Sequence, residues 1–294
     1  MNFEQFVKNL ICKVQLFIGN EYEIVERKVI KNNGVELTGL MAKKDGTNVF
    51  PTIYVDSMYD SKMSHEDVEY IAMKLARNLK NAEVEGDFKI DTFGEFEQVN
   101  VNIFFKLINA KRNGDLLQEI PHRRIHDLAV VYFYLVEDER FDGKGTILVR
   151  NEMMERWNIT ENDLYDVAMR NGKSKRKAEL VSMKDILNDM AGKEILTDEI
   201  SMYVLSNESK IFGASVLIYD EYMKEVYDII QNNFYILPSS IHELILIPDN
   251  NQISAQSLLE MVTSVNSTEV DEEEILADSV YYYDGEKDML EWLI

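Results

Sequence analysis

FYILPSSIHELILIP, residues 234–248, is the stretch on which the fold turns. Its two ends, FYILP and ELILIP, are short apolar runs rich in β-branched and aromatic residues, and the polar residues between them break the run. The pattern predicts two buried strands joined by a tight polar connection. Upstream, SMYVLSN (201–207) reads as a strand, and GASVLIYDEYMKEVYDIIQ (213–231) mainly as a helix with Val226, Ile229 and Ile230 facing inward. Downstream, SAQSLLEMVTSVN (254–266) predicts a helix with Leu258, Met261, Val262 and Val265 on one face, and SVYYYD (279–284) predicts a final strand. Strand, helix, strand, strand, helix, strand is the split βαβ, ferredoxin-like order, expected to carry both helices on one face of an antiparallel sheet.

The chain before this block mixes the same ingredients. Phe3, Phe6, Val7, Leu10, Ile11, Val14, Phe17 and Ile18 recur at helical spacing, interrupted by Lys8 and Lys13, with no small-residue cleavage site, so they predict an amphipathic helix and not a signal peptide. Residues 22–55 alternate and carry Asn33-Gly34 and Asp45-Gly46, a pattern for a three-stranded antiparallel meander. Ser64 with Asp67 predicts a capped helix onset, continued by Val68, Ile71, Ala72, Leu75 and Leu79. Residues 80–100 lean towards helix. VNIFFKLIN (101–109), RRIHDLAVVYFYLV (123–136) and TILVR (146–150) read as strands, with a turn at Asn113-Gly114. Helices are expected over 151–157, over 161–170 with Thr160 and Asp163 as cap, and over 182–190. The fold class is therefore α+β with mixed or antiparallel sheets, in two domains, 1–178 and 179–294.

Composition bounds the function. The 294 residues are 46% hydrophobic, which suits packed cores. A single cysteine, Cys12, excludes an intramolecular disulfide and argues against a thiolate zinc site. The longest strongly apolar run, LAVVYFYLV, has nine residues, against the roughly 20 that a membrane helix needs. A cytoplasmic location with no membrane partner follows as the expectation. The net charge of −22 opposes direct nucleic-acid binding, which draws its affinity from Lys and Arg on phosphates.

Catalytic signatures are absent: the sequence has no phosphate-binding glycine loop, no HExxH and no GxSxG. Three constellations remain. Ser239, Ser240, His242 and Glu243 cluster at one strand junction, where a hydroxyl beside an imidazole is the minimum for acyl transfer, and where polar turn residues equally satisfy loop amides. His122, Arg124 and His126 would share one face of a continuous strand. Their imidazoles would then stand roughly 13 Å apart, too far to hold one metal but open to an anion. Glu269, Asp271, Glu272, Glu273 and Glu274 lack the spacing of a calcium loop and read as an acid-rich helix start. Arg170, Lys173, Lys175, Arg176 and Lys177 form a local basic run that reads as a solvated loop between two elements.

LVRNEMMERWNITENDLYDVAMRN and FGASVLIYDEYMKEVYDIIQNNFYILPSSIHELILIP, with KNNGVELTGL and FPTIYV near the start, resemble blocks of an uncharacterised domain-of-unknown-function family from Firmicutes, particularly gut clostridia. The chain is also distantly similar to a second uncharacterised Firmicutes family. The resemblance implies a bacterial cytoplasmic protein and brings no active-site residue. The leading expectation is a non-enzymatic protein-binding or regulatory protein without cofactor, metal or catalytic residues, whose protein partner is favoured by charge to be basic. Its binding residues are expected among Ser239, Ser240, His242, Glu243, Lys173, Lys175, Arg176 and Lys177. The alternatives are an acidic nucleic-acid mimic that inhibits a basic enzyme, and a hydrolase or transferase with a noncontiguous site near 234–248.

Overall fold

A computed structural model describes residues 1–45, 52–81, 94–136, 145–192, 202–219, 221–238 and 240–294. They form two compact units, the first drawn from residues 1–93 and 137–145 and the second from 94–136 and 146–294. In the first unit, α1 (Phe3–Ile18) starts from a capping box between Asn2 and Gln5. It is followed by the antiparallel strands β1 (Tyr22–Ile30), β2 (Glu36–Lys44) and β3 (Thr52–Tyr54), in the order β1-β2-β3. Asn33 and Gly34 both take positive φ, 61° and 74°, at the expected first turn. Gly46, half of the expected second turn, lies outside the described residues. The helix α2 (His65–Asn81) opens on the expected cap, with Asp67 N–H donating to Ser64 Oγ at 3.2 Å and Ser64 N–H to Asp67 Oδ2 at 2.9 Å. The apolar stripes of α1 and α2 meet Ile24, Leu40, Ala42 and Val55 in one core.

The second unit begins with the single turn α3 (Phe96–Val99), then β4 (Ile103–Asn109), the turn α4 (Leu116–Glu119), β5 (His122–Ile125), β6 (Leu128–Val136) and β7 (Gly145–Leu148). The expected helical lean over 80–100 is met at 80–81, the end of α2, and at 96–99, and residues 82–93 lie outside the description. Strands β4, β6 and β5 are antiparallel neighbours, and β7 also pairs with β6. The helices α5 (Asn151–Trp157) and α6 (Glu161–Lys175) follow, α6 capped by Thr160 and Asp163 as expected and running beyond residue 170. Then come β8 (Ala178–Ser182), α7 (Met183–Ala191), β9 (Tyr203–Asn207), a 3-10 segment at Gly213–Ile218, α8 (Tyr222–Ile230), β10 (Phe234–Leu237), β11 (Leu244–Pro248), α9 (Ala255–Thr268), β12 (Tyr281–Asp284) and β13 (Met289–Trp292).

The fold class is α+β, and β9, α8, β10, β11, α9 and β12 follow the expected succession. They belong to a six-stranded antiparallel sheet in the order β13-β12-β10-β11-β9-β8. Strand β11 separates β9 from β10, and β10 separates β11 from β12, so both helical connections are split βαβ units. The last strand of the unit, β12, lies beside β10, whereas a ferredoxin-like sheet sets it beside the first strand. Aromatic matching accounts for this: Phe234 stacks on Tyr283 at 5.2 Å, and Tyr235 meets Tyr282 edge-on at 5.1 Å. For right-handed crossovers this strand order directs the two connections to opposite faces, where the ferredoxin-like order directs both to one. Both faces are accordingly packed. Leu258 and Val262 of α9 cover Tyr235, Leu237, Ile245 and Ile247, while Phe234, Ile236, Leu244 and Leu246 on the other face are fully buried.

Two further local readings change. RRIHDLAVVYFYLV is a hairpin and not one strand: Ile125 pairs with Leu128 across a two-residue turn in which His126 takes φ 53°. The acid-rich 271–274 segment follows the end of α9 and closes a turn, with Glu274 N–H and Ile275 N–H both donating to the Asp271 carbonyl. The six-stranded sheet, from β8 to β13, lies in the same compact unit as β4, β5 and β6.

Gly213 sits in close contact with the backbone of its neighbours. A Cβ there would stand 2.0 Å from Ser206 Oγ, 2.4 Å from the His242 carbonyl and 2.8 Å from Asn207 N. Gly213→Ala is expected to destabilise the protein by about 1–3 kcal/mol through overpacking against backbone. Gly114→Ala, whose nearest neighbour would be 3.7 Å away, is expected to be near neutral, as read from urea midpoints.

Candidate functional site

The strand junction and the basic run converge on one turn, Lys210–Gly213, which follows β9. Lys210 and Phe212 both take positive φ, 55° and 53°, which folds the turn back and turns the Phe212 ring towards His242. The two rings stack at 5.5 Å and 16°. Phe212 N–H donates to His242 Nδ1 at 3.1 Å, so Nδ1 is the acceptor and the ring proton resides on Nε2. Nε2 faces Glu274 Oε1 at 3.5 Å. The backbone is equally committed: Ser206 Oγ donates to the His242 carbonyl at 2.8 Å, and His242 N–H donates to Ser240 Oγ at 3.0 Å. Ser240 forms an isolated bridge with Ile275, Glu243 points to solvent, and Ser239 lies outside the described residues.

From the opposite side, Arg176 closes the same turn. Only 6% exposed, it donates through Nη1 to the Ile211 carbonyl at 3.0 Å and lies over the rings of Phe104 and Phe133, at 4.7 and 5.3 Å. Phe133 in turn meets Phe212 edge-on at 5.2 Å, and Lys106 Nζ sits 4.5 Å from the Phe212 centroid. Such cation–π contacts strengthen where water is excluded. Arg176 thus performs internal packing, a role that its place in a basic run conceals. Lys175 donates to the Val101 carbonyl at 2.6 Å, and Lys173 and Lys177 are exposed. The Tyr219 hydroxyl donates to the Arg176 carbonyl at 3.1 Å, its ring fitting where Gly172 of α6 has no side chain.

The His122–Asp127 segment carries two separate arrangements. His122 Nδ1 lies 3.1 Å from the Ile120 carbonyl, and His126 is carried away from it by the hairpin turn. Asp127 accepts from the Ser279 and Tyr281 hydroxyls, and the His126 ring lies 6.1 Å from that of Tyr281, without a hydrogen bond that would make a nucleophile and base pair. Elsewhere on this hairpin, the Tyr132 hydroxyl and the Arg123 guanidinium both donate to Glu161, and Arg123 rests 3.8 Å from the Tyr165 centroid. Burial, then the bond to Glu161, pushes the Tyr132 phenol well above its ordinary range. No group of three or more His, Cys, Asp or Glu side chains suited to a metal occurs among the described residues.

The concave feature that sequence reading missed is apolar. A cavity of about 160 Å³ opens between α9 and the sheet, lined by Met183, Met202 and Met261, by Leu237 and Ile245 from the two central strands, and by Val262 and Val265. Leu258, Met261, Val262 and Val265 form one apolar stripe as expected, but their burial divides. Leu258 and Val262 are in the core, while Met261 is 47% and Val265 38% exposed. A stripe wider than the sheet contact requires was the available signal. The methionines at 183 and 202 gave none, because only the chain path brings them there.

The fold and this groove define an α+β protein in which Arg176, Ser240 and His242 are committed to internal bonds and the groove beside α9 is apolar. The chain belongs to a family of unknown function (DUF5688), matched over residues 3–285. No curated protein and no solved structure matches the chain. No helix among the described residues is long and apolar enough to cross a membrane.

His242→Ala removes the acceptor for the Phe212 amide and is expected to cost about 1–3 kcal/mol in thermal or urea unfolding, with His242→Asn recovering part of it. Tyr219 gives a pH signature. Burial raises its phenol from the usual 10 to about 12, so between these values the folded chain holds a proton that the unfolded chain releases. Its contribution to stability is complete below pH 10 and lost as pH rises towards 12. Tyr219→Phe is expected to flatten the alkaline loss of stability over that window, measured by urea titration at stepped pH.

Proposed function

We propose that this protein is a non-enzymatic binding or regulatory protein that recognises another protein, with the methionine-lined groove on α9 as its contact surface. The observation that carries the reading is the pairing of that groove with committed polar groups. His242, Ser240 and Arg176 hold the Lys210–Gly213 turn together, whereas Met261 and Val265 stand half-exposed beside an apolar cavity. An exposed apolar concavity marks a binding surface, and methionine adapts its shape to what it meets. A chain of net charge −22 favours a basic partner and speeds its encounter. The setting proposed is the bacterial cytoplasm, on the strength of the resemblance to Firmicutes sequences.

The test is affinity capture from the source cells with the wild-type chain and with Met261→Glu, each washed at low and high salt. A partner held by the wild type at both salts and lost with Met261→Glu is the expected outcome. A basic nucleic-acid-handling protein that is released by salt and indifferent to Met261 would move the reading to an acidic mimic. Turnover in a metabolite screen that fails in His242→Asn at unchanged folding would make the protein an enzyme.

A further inference from the structure

We infer that the groove beside α9 receives an amphipathic helix with a basic flank from another protein, seating one bulky apolar side chain among Met183, Met202 and Met261. This rests on the protein-binding reading above and specifies the occupant. The lining decides the type of segment. Leu237 and Ile245 belong to β10 and β11, whose edges are both paired, β10 to β11 and β12, β11 to β10 and β9. The floor of the groove therefore offers an extended peptide no free strand edge, which favours an occupant that binds through side chains, as a helix in a groove does. A cavity of about 160 Å³ matches one aromatic ring or leucyl group, the kind of anchor that dominates interface energies.

The flank sets the charge. The stretches 183–191 and 255–274, which form α7, α9 and the turn after it, hold eight acidic residues (Asp185, Asp189, Glu260, Glu269, Asp271, Glu272, Glu273 and Glu274) against the single base Lys184. On α9, Met261 and Val265 are followed at the same helical spacing by Glu269, which is exposed, so the apolar stripe runs directly into acid. Asp185 and Asp189 are exposed on one side of α7, a helix that buries none of its residues fully. A second copy of this chain would bring a further −22 against the same surface, which disfavours self-docking.

The experiment titrates the full chain with three synthetic peptides of about 18 residues, long enough for five helical turns. One is an amphipathic Leu/Lys helix with a single Trp on its apolar face. The second has the same composition scrambled to destroy that face, and the third replaces Lys by Glu. Trp fluorescence and calorimetry read affinity. The amphipathic basic peptide is expected to bind at least about tenfold more tightly than the scrambled one, and Met261→Glu and Val265→Ser to weaken it by about tenfold. Asp185→Asn with Asp189→Asn is expected to weaken it a few-fold at low salt and little at high salt. Circular dichroism confirms that each variant is folded, and Val265→Ser keeps the test valid should Met261→Glu not fold.

Equal binding of the first two peptides, or indifference to both groove variants, would reduce the effect to bulk charge and overturn the proposal. A dimer in sedimentation that Met261→Glu dissolves would overturn it in favour of a second copy. Failure of the basic helix to bind while a captured partner stays sensitive to Met261 would also overturn it and leave the protein-binding reading standing.

Discussion

The constraint on which the second unit depends is that β10 and β11 must be covered on both faces. Their residues alternate between Phe234, Ile236, Leu244 and Leu246 on one side and Tyr235, Leu237, Ile245 and Ile247 on the other, and every one is apolar or aromatic. A sheet with one wet face would expose half of them, at about 1.5–3 kcal/mol for each large side chain left in water. A helical layer on a single face leaves that cost standing. The packing removes it: α9 covers one face, and Phe234, Ile236, Leu244 and Leu246 on the other are fully buried.

The same constraint governs the polar junction between these strands. Residues 240–243 connect two strands buried on both faces, so their backbone groups need partners close at hand. The Lys210–Gly213 turn and the 274–275 segment supply them: Ala214 N–H donates to the Ile241 carbonyl, and Ile241 N–H donates to the Glu274 carbonyl. His242 contributes an acceptor in place of a missing carbonyl, and Arg176 contributes donors from the far side of the turn. A histidine and an arginine that read as candidates for chemistry in one dimension are, in three, what allows Phe212 to take its left-handed conformation and pack against Phe133.

The extent to which this was legible follows the range of the interactions. Cap and turn chemistry acts over three or four residues, and Ser64 with Asp67, Thr160 with Asp163, and Asn33-Gly34 all formed as their spacing required. The buried strand pair at 234–248 was equally plain, because its alternation is internal. His126-Asp127 was passed over as a turn because it lacks glycine and asparagine, the usual residues for a positive φ. The placement of β12 depended on Tyr283 meeting Phe234, 49 positions away in sequence, and no local pattern records which strand a tyrosine will stack against. The groove was hidden for the same reason, since Met183 and Met202 reach Met261 only through the sheet order.

That groove also follows from the packing problem. One helix covers a strip about 10 Å wide, while neighbouring strands are spaced by about 4.8 Å, so a six-stranded sheet is wider than a single helix can shield. On the face carrying Leu237 and Ile245, α9 covers the centre, and a strip beside it is left to be lined by methionines. Methionine suits a strip that must be tolerable empty and favourable filled, because its unbranched chain can lie flat over the gap or move aside for a guest. Branched side chains in the same places would fix the gap in one shape. Charge then divides the labour: the acid on α7 and after α9 acts over roughly a Debye length and draws a basic segment in, while the cavity discriminates at contact distance.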